Sequence, residues 1–408
     1  KDFSSRIPIY EEIVNKYPNE KLAYFEIGDM YYHNGPVSKS IPYFEKSLSL
    51  DPSFEFSIQH LGWAYRDIGD HEKDIDLTKK SLEIYPDHNI YKYREMYSYL
   101  YAGMYDIFFG KVRSLDNEET QFTNPIEAFG DGYLASGDYT NAYQKYQELL
   151  DDNDTKLDGI NKLKTLSLYR GDLDRFRSLS DEALNIHISK NNSVAYLNEL
   201  SRRAYSLLMT FNKKDEAKKI LLEIEKEIND RSKAIDYSDL SIWSRLYLID
   251  SYKSFNMWSK GNDLNESAFG DLEVIVLADK ALKSKQEGAY AEAIDYYSKA
   301  VDLGNSFHRY QYNYAIGQCY LEIKDYQNAI KFFDKMKNVS YQGQGHAKRY
   351  YHAKNFLYSG LANMELKNYR LAKSNIETFL KIWDPAPESL KEKKMAREAL
   401  KKINKAIS

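Results

Sequence analysis

The sequence predicts an all-α fold in which helical hairpins are repeated along the chain. Five of its 19 glycines stand 34 residues apart, at Gly35, Gly69, Gly103, Gly137 and Gly171. Pro18, Pro52 and Pro86 keep the same step, and apolar residues between them recur at three and four, as on one face of a helix. A fixed period of roughly 20 to 50 residues is the signature of stacked supersecondary units, so the chain is predicted to be a helical array.

Residues 21–52 show how one unit is built. The apolar face of the first helix is formed by Leu22, Tyr24, Ile27 and Tyr31. Gly28 beside this face lets a second helix approach closely. Gly35 is predicted to end the first helix in the left-handed conformation, which costs glycine almost nothing. Pro52 closes the unit because proline cannot continue a helix.

The second helix of most units carries a small residue where the helices cross, followed four residues later by a large one. The pairs are Ser40 and Phe44, Ala142 and Tyr146, Ala217 and Leu221, Ala293 and Tyr297, Ala329 and Phe333, and Ala372 and Ile376. Asp74 replaces the small residue in the second unit, which predicts looser packing or an edge turned toward a polar partner, with a partly solvated Asp as the alternative. Phe108 replaces it in the unit at 89–122, which is predicted to be distorted.

This pattern resembles the tetratricopeptide repeat family over nearly the whole chain. The resemblance implies a right-handed superhelical solenoid of about ten helix-turn-helix units with a C-terminal capping helix. After residue 190 the turn glycine becomes Asn212, returns as Gly288, and is replaced near Lys324 and Lys367.

Three segments are expected. Residues 1–255 form an N-terminal sub-array that begins in the middle of a repeat, which indicates a piece of a longer protein. Residues 256–271 form an irregular break, where Asn, Asp, Ser and Gly accumulate. Residues 272–408 form a C-terminal sub-array, with a Lys-rich capping helix at 388–407.

Composition excludes several function classes. Net charge is −4, and no basic stripe of the kind that neutralises phosphate crosses the array, so nucleic acid is not an expected partner. No apolar run reaches the roughly 18 residues of a membrane span. A soluble protein is expected, with the cytoplasm favoured over an extracytoplasmic location. Cys319 is the only thiol, which excludes an internal disulfide.

The sequence shows no pattern typical of catalysis, a cofactor or a metal. No two of the eight histidines have the spacing of a zinc-peptidase helix, and the acidic cluster at 151–154 lacks the glycine and glutamate of a calcium loop. The segment at 343–345 lacks the lysine of a phosphate loop. The chain is therefore predicted not to be an enzyme, to use no cofactor and to hold no metal.

The family resemblance also implies where a partner binds, because first helices of successive units line a concave groove in this family. The corresponding positions are Phe25, Asp29, Tyr32, Gln59, Trp63, Arg66, Glu127, Asp131, Gln311, Tyr314, Gln318 and Lys354. Members that clamp the acidic tails of heat-shock chaperones carry Lys and Asn where this chain has Phe25 and Asp29, so that ligand is disfavoured. The carboxylates and aromatic residues predict a basic or polar segment with an apolar anchor.

The predicted function is a protein-interaction scaffold that holds an extended or helical peptide segment of an unidentified partner. Residues 358–400 are similar to the terminal repeat of arrays in multidomain bacterial signalling proteins. This second resemblance implies a regulatory region with its output domain upstream of residue 1. The alternative is the substrate-recognition part of an enzyme whose catalytic domain lies upstream.

Overall fold

A computed structural model of the chain describes residues 6–407, apart from 116–123, 231–234, 270–272, 305 and 338–346. Over these residues the regular secondary structure is helical and contains no strand, which confirms the predicted all-α class. Two compact units are present, and each is discontinuous in sequence. The first comprises Lys1–Glu148 and Glu273–Lys348, and the second comprises Leu149–Leu272 and Arg349–Ser408.

Thirteen helices among the described residues belong to the first unit. They are α1 (Ile7–Lys16), α2 (Lys21–Asn34), α3 (Val37–Leu50), α4 (Glu55–Ile68), α5 (His71–Ile84), α6 (Asn89–Tyr101), α7 (Tyr105–Arg113), α8 (Pro125–Ser136), α9 (Tyr139–Glu148), α16 (Glu273–Gln286), α17 (Tyr290–Leu303), α18 (Ser306–Glu322) and α19 (Tyr326–Lys337). Consecutive helices pack as hairpins, which is the arrangement that the period predicts.

The described part of the second unit contains nine α-helices and a short 3₁₀ helix at Tyr237–Asp239. The α-helices are α10 (Lys156–Arg170), α11 (Leu173–Ser189), α12 (Ser193–Met209), α13 (Lys214–Asn229), α14 (Ile242–Ser254), α15 (Trp258–Phe269), α20 (Lys348–Glu365), α21 (Tyr369–Ile382) and α22 (Lys391–Ile407). Among all described helices, none is both long and apolar enough to cross a membrane.

The turn positions follow the prediction except at the first glycine. Positive φ angles occur at Gly69, Gly103, Gly137, Gly171 and Gly288, and also at the predicted replacements Asn212, Lys324 and Lys367. Gly35, by contrast, is extended, with φ −138° and ψ −167°. The left-handed prediction is wrong there because Pro36, which restricts the preceding residue to extended backbone, follows immediately.

The small and large residues of the second helices are buried in every predicted pair. Gly28 shows why a residue without a side chain is needed opposite them, since a Cβ atom built there would lie 2.7 Å from the Phe44 ring. Gly317 meets Phe333 in the same way, at 2.8 Å. The close approach of paired helices therefore depends on glycine on one helix and an aromatic ring on the other.

Asp74 differs from the prediction of loose or solvated packing. Its side chain is buried, and Arg66 Nε lies 3.2 Å from its Oδ2. Asp74 is larger than the small residue that usually stands at the helix crossing, and Gly62 on α4 leaves space for it. A Cβ atom built at Gly62 would lie only 3.0 Å from Asp74 Oδ1. The polar partner of Asp74 is thus an arginine of its own hairpin.

The expected sub-arrays do not coincide with the two compact units, and the expected irregular break at 256–271 contains α15. Leu264 of this helix is buried in a cluster of the second unit, and Met257, just before the helix, packs against that cluster. These two apolar residues are seven positions apart in a mostly polar segment, so the sequence shows almost no helical periodicity there. The expected capping helix corresponds to α22, and its capping role stays a prediction.

Candidate functional site

One face of α2 and the neighbouring face of α4 form the candidate site in the first unit. Phe25, Asp29 and Tyr32 share a face of α2 because they are four and three residues apart. His60 and Trp63, three apart, share a face of α4, which packs against α2. These five residues are called the α2–α4 surface below.

The aromatic residues of the α2–α4 surface contact one another. Trp63 stacks on Tyr32, with ring centroids 6.2 Å apart, and meets the edge of His60 at 4.9 Å. Phe25 also contacts His60 in an edge-to-face arrangement, with ring centroids 5.2 Å apart. Phe25, Tyr32 and Trp63 are only partly buried, so the surface offers aromatic area to a partner.

Asp29 is the charged centre of the surface. Its Oδ1 atom lies 3.3 Å from His33 Nε2 and 3.2 Å from His60 Nε2. Burial raises the pKa of Asp29, but the hydrogen bonds and charges of the two histidines outweigh that effect, and the pKa lies well below its ordinary value. The carboxylate is therefore already engaged within the chain.

Arg66 and Gln59 complete the predicted residues of α4. Arg66 is directed toward Asp74, and its guanidinium carbon lies 5.2 Å from the Tyr101 ring centroid. Gln59 is half-buried. Arg66 pairs with the buried carboxylate of Asp74, so its charge interacts mainly within the α4–α5 hairpin and contributes less to an open groove.

The two acidic residues predicted on α8 differ from each other. Glu127 is partly exposed, whereas Asp131 is only 3% exposed. Asp131 accepts hydrogen bonds from the Tyr146 hydroxyl at 2.7 Å and the Tyr97 hydroxyl at 3.3 Å. Asp131 therefore accepts the hydrogen bonds of two tyrosine hydroxyls in the interior between helices. The expectation that it contributes negative charge to a groove is wrong, because its side chain is buried.

Helix α18 carries the predicted residues Gln311, Tyr314 and Gln318. It belongs to the same compact unit as α2 and α4, although it is far from them in sequence. Gln311 is partly exposed, but Tyr314 is buried. Gln318 donates to the Tyr314 hydroxyl at 3.2 Å and accepts from Lys285 at 2.7 Å, so two of the three predicted side chains form an internal network.

An arginine of α18 ties that helix to α4. Arg309 donates to the backbone carbonyl of Asp67 at 2.5 Å. Residues 242 positions apart in sequence are thereby joined inside one unit.

Lys354 belongs to the second unit and is buried. Its ammonium lies 3.1 Å from Glu392 and donates to the Met209 carbonyl at 3.0 Å. This lysine therefore connects α20 to α22 and to the end of α12, and it belongs to a different unit from the other predicted binding residues.

Sequence reasoning missed the two histidines that meet Asp29. Asp29 and His33 are four apart on α2, which places them on one face, and this was the available local signal. His60 is 31 residues beyond Asp29, close to one repeat, so it occupies the facing helix at nearly the same level. A search for histidine pairs within a single helix cannot find a cluster divided between two repeats.

Comparison with known proteins supports the repeat assignment. Models of the tetratricopeptide repeat match residues 22–54 and residues 286–343. The first match covers α2 and α3, and the second includes α17, α18 and α19. No curated protein sequence matches the chain.

Solved structures with similar folds are distant. Yeast Tom70 shares 13% identity over 97% of both chains, with a TM-score of 0.36. The Cut9–Hcn1 tetramer of the APC/C gives 12% identity over 98% of this chain and 93% of that one, with a TM-score of 0.32. The tetratricopeptide domain of P58(IPK) gives 12% over 99% and 93%, with a TM-score of 0.26. Similarity this low says nothing about function, whereas the two matched segments show that the chain contains tetratricopeptide repeats at residues 22–54 and 286–343.

Proposed function

We propose that the chain is a protein-interaction scaffold that holds an extended or helical peptide segment of its partner on the α2–α4 surface. The observation that carries the proposal is the group of partly exposed aromatic rings on α2 and α4, in which Trp63 contacts both Tyr32 and His60. Aromatic residues supply much of the energy of protein interfaces, since they bury large areas at low entropy cost.

The charges of the surface modify the predicted preference for a basic segment. Asp29 is partly exposed but is engaged by two histidines, Asp131 is buried, and Glu127 is partly exposed. The apolar anchor therefore contributes most of the affinity, while charge contributes little selectivity. The amide of Gln311, partly exposed on α18, belongs to the proposed site as a hydrogen-bonding group for the peptide backbone.

A regulatory role in a larger signalling protein is the finer part of the proposal. Its support is the resemblance of residues 358–400 to terminal repeats of bacterial signalling proteins, a segment that includes α21 and part of α20. Deletion of α2–α5 from the native protein is expected to change the activity of the output domain that this resemblance implies, while that domain remains folded.

We expect Trp63→Ala to weaken peptide binding by about 2 kcal/mol, a factor of roughly 30 in Kd, because the substitution removes the partly exposed indole ring from the α2–α4 surface. Peptides for this measurement come from panning a random displayed library against the chain. They are expected to carry an aromatic or aliphatic anchor, and their Kd values are measured by calorimetry for wild type and variant.

Trp243→Ala is the matched control, since Trp243 is also partly exposed but lies on α14 in the other unit. It is expected to leave the Kd unchanged. Circular dichroism and thermal unfolding establish that both variants remain folded. Equal Kd values for wild type and folded Trp63→Ala would move the binding site away from the α2–α4 surface.

A further inference from the structure

The cluster formed by Asp29, His33 and His60 has the composition of a transition-metal site. Within the part of the chain that the structure describes, one donor atom from each of these side chains lies within 4.8 Å of the other two. Two imidazoles and one carboxylate are a ligand set that zinc uses in catalytic centres, where a fourth position remains open.

The distances fit a small cation. With metal–ligand bonds of about 2.0–2.1 Å, the donor atoms of a tetrahedral site are roughly 3.3 Å apart. Asp29 Oδ1 lies 3.2 Å from His60 Nε2 and 3.3 Å from His33 Nε2, so two edges of such a tetrahedron are already present. The third edge, between the histidine donor atoms, is no longer than 4.8 Å.

His60 is oriented for this role by its second nitrogen. Its Nδ1 lies 2.8 Å from the carbonyl oxygen of Phe56, which can only accept a hydrogen bond. Nδ1 therefore donates, and in the neutral ring the lone pair is on Nε2, the atom that faces Asp29. Metal-binding histidines are commonly fixed by this type of hydrogen bond to a backbone carbonyl.

The same geometry requires a positive charge between the two side chains. A neutral His60 with its proton on Nδ1 would direct a lone pair at a carboxylate oxygen 3.2 Å away, which is repulsive. Either a proton on Nε2 or a metal ion removes the repulsion. The carboxylate and two neutral imidazoles carry one negative charge, which attracts a cation to this position.

The surroundings shield one side and leave the other open. The His60 side chain is 13% exposed and contacts the rings of Phe25 and Trp63, whereas the His33 side chain is 52% exposed. A partly apolar wall strengthens the attraction between ion and ligands. The exposed side leaves room for water in the fourth coordination position.

We infer that Asp29, His33 and His60 bind one divalent transition-metal ion of the zinc class, with an open coordination position on the solvent side. This inference differs from the sequence-based expectation of no metal, which considered histidine spacing within single helices. The inference does not depend on peptide binding, so its test uses the chain alone.

The test is calorimetric titration of Zn²⁺ into the full chain, purified with a chelator and with any affinity tag removed. One ion per chain is expected. Asp29→Asn, His33→Ala and His60→Ala are each expected to raise the Kd at least tenfold, because each removes one of three ligands. His88→Ala is the matched control, since His88 Nε2 is also near a carboxylate, 3.7 Å from Glu55, but belongs to no such three-residue group within the part of the chain that the structure describes.

Co²⁺ provides a second readout that does not depend on affinity alone. The wild-type Co²⁺ complex is expected to show the visible absorption of a tetrahedral site and to change when azide occupies the open position. His33→Cys keeps a ligand and is expected to add sulfur-to-cobalt absorption in the near ultraviolet. His33 is exposed, so its substitution does not disturb the core.

Absence of stoichiometric Zn²⁺ binding by wild type would overturn the inference and leave two ion pairs. Binding that persists unchanged in folded His33→Ala and His60→Ala would overturn it as well. Trp63→Ala, which tests the proposed peptide site, is expected to keep the metal, so failure of one proposal is distinguishable from failure of the other.

Discussion

Glu199→Leu is expected to destabilise the second unit by about 4 kcal/mol, since breaking a buried ion pair from one side typically costs 3–5 kcal/mol. Lys164 Nζ lies 2.6 Å from Glu199 Oε1, and both side chains are only 3% exposed. The substitution leaves the Lys164 ammonium without its nearest counter-charge in a site that water hardly reaches. Urea unfolding, followed by hydrogen exchange of amides in α10 and α12, measures the loss.

Two controls separate burial from charge. Asp295→Asn breaks a pair on α17 in which both side chains are 57% exposed, and it is expected to cost less than about 1 kcal/mol. Lys164→Met combined with Glu199→Leu replaces the buried pair with apolar groups, which is typically neutral or stabilising. A loss below about 1 kcal/mol for Glu199→Leu alone would mean that Lys164 finds another partner or reaches solvent.

A pH series on the same pair gives a second measurement. Burial lowers the pKa of Lys164 from 10.5 to about 8, although Glu199 acts in the opposite direction. Between these values the unfolded chain binds the proton more tightly than the folded chain, so unfolding is favoured at the lower pH. The stability of wild type relative to the double variant is therefore expected to rise as pH increases from about 8 toward 10.5.

The sequence does not reveal this pair, and the reason is physical. A helical pattern identifies one apolar face, but most of α10 from Gly159 to Tyr169 is buried, including Lys162 and Lys164. Helices distant in sequence surround it within the second unit, which joins 149–272 to 349–408. A period of 34 describes contacts between neighbouring hairpins, which include the 35-residue step from Lys164 to Glu199, but it carries no information about the packing of 349–408 in the same unit.

Local features were predicted well because their causes are local. The left-handed turns at Asn212, Lys324 and Lys367 follow from the position of the turn in each hairpin, even where glycine is absent. The buried small and large pairs follow from helix crossing. The candidate site stays a prediction: Trp63 is partly exposed beside Tyr32, but Asp131 is buried and accepts hydrogen bonds from Tyr97 and Tyr146, which no spacing rule gives.

Gly171→Ala is expected to destabilise the second unit by roughly 3 to 4 kcal/mol, for two reasons that act together. Gly171 has a φ of +66°, a conformation that costs a residue with a side chain about 1–2 kcal/mol. A Cβ atom there would also lie 2.5 Å from Cδ2 of Trp383. Overpacking of this kind adds roughly 1–3 kcal/mol.

The Trp383 ring cannot move aside easily. It is almost fully buried, Phe379 lies against it with ring centroids 5.0 Å apart, and the Lys354 ammonium is 5.9 Å from its centroid. That ammonium is itself held by Glu392 and the Met209 carbonyl. A shift of the ring would therefore disturb α20 and α22 along with the turn.

Gly137→Ala isolates the backbone contribution. Gly137 has a φ of +82°, but nothing lies within 4 Å of the added Cβ. Its substitution is expected to cost the first unit only about 1–2 kcal/mol. Because the two glycines are in different units, hydrogen exchange is read separately for each. Equal losses at both positions would show that the ring yields to the new methyl group, whereas a larger loss at Gly171 means that one glycine of the 34-residue series is required by its neighbour as well as by its turn.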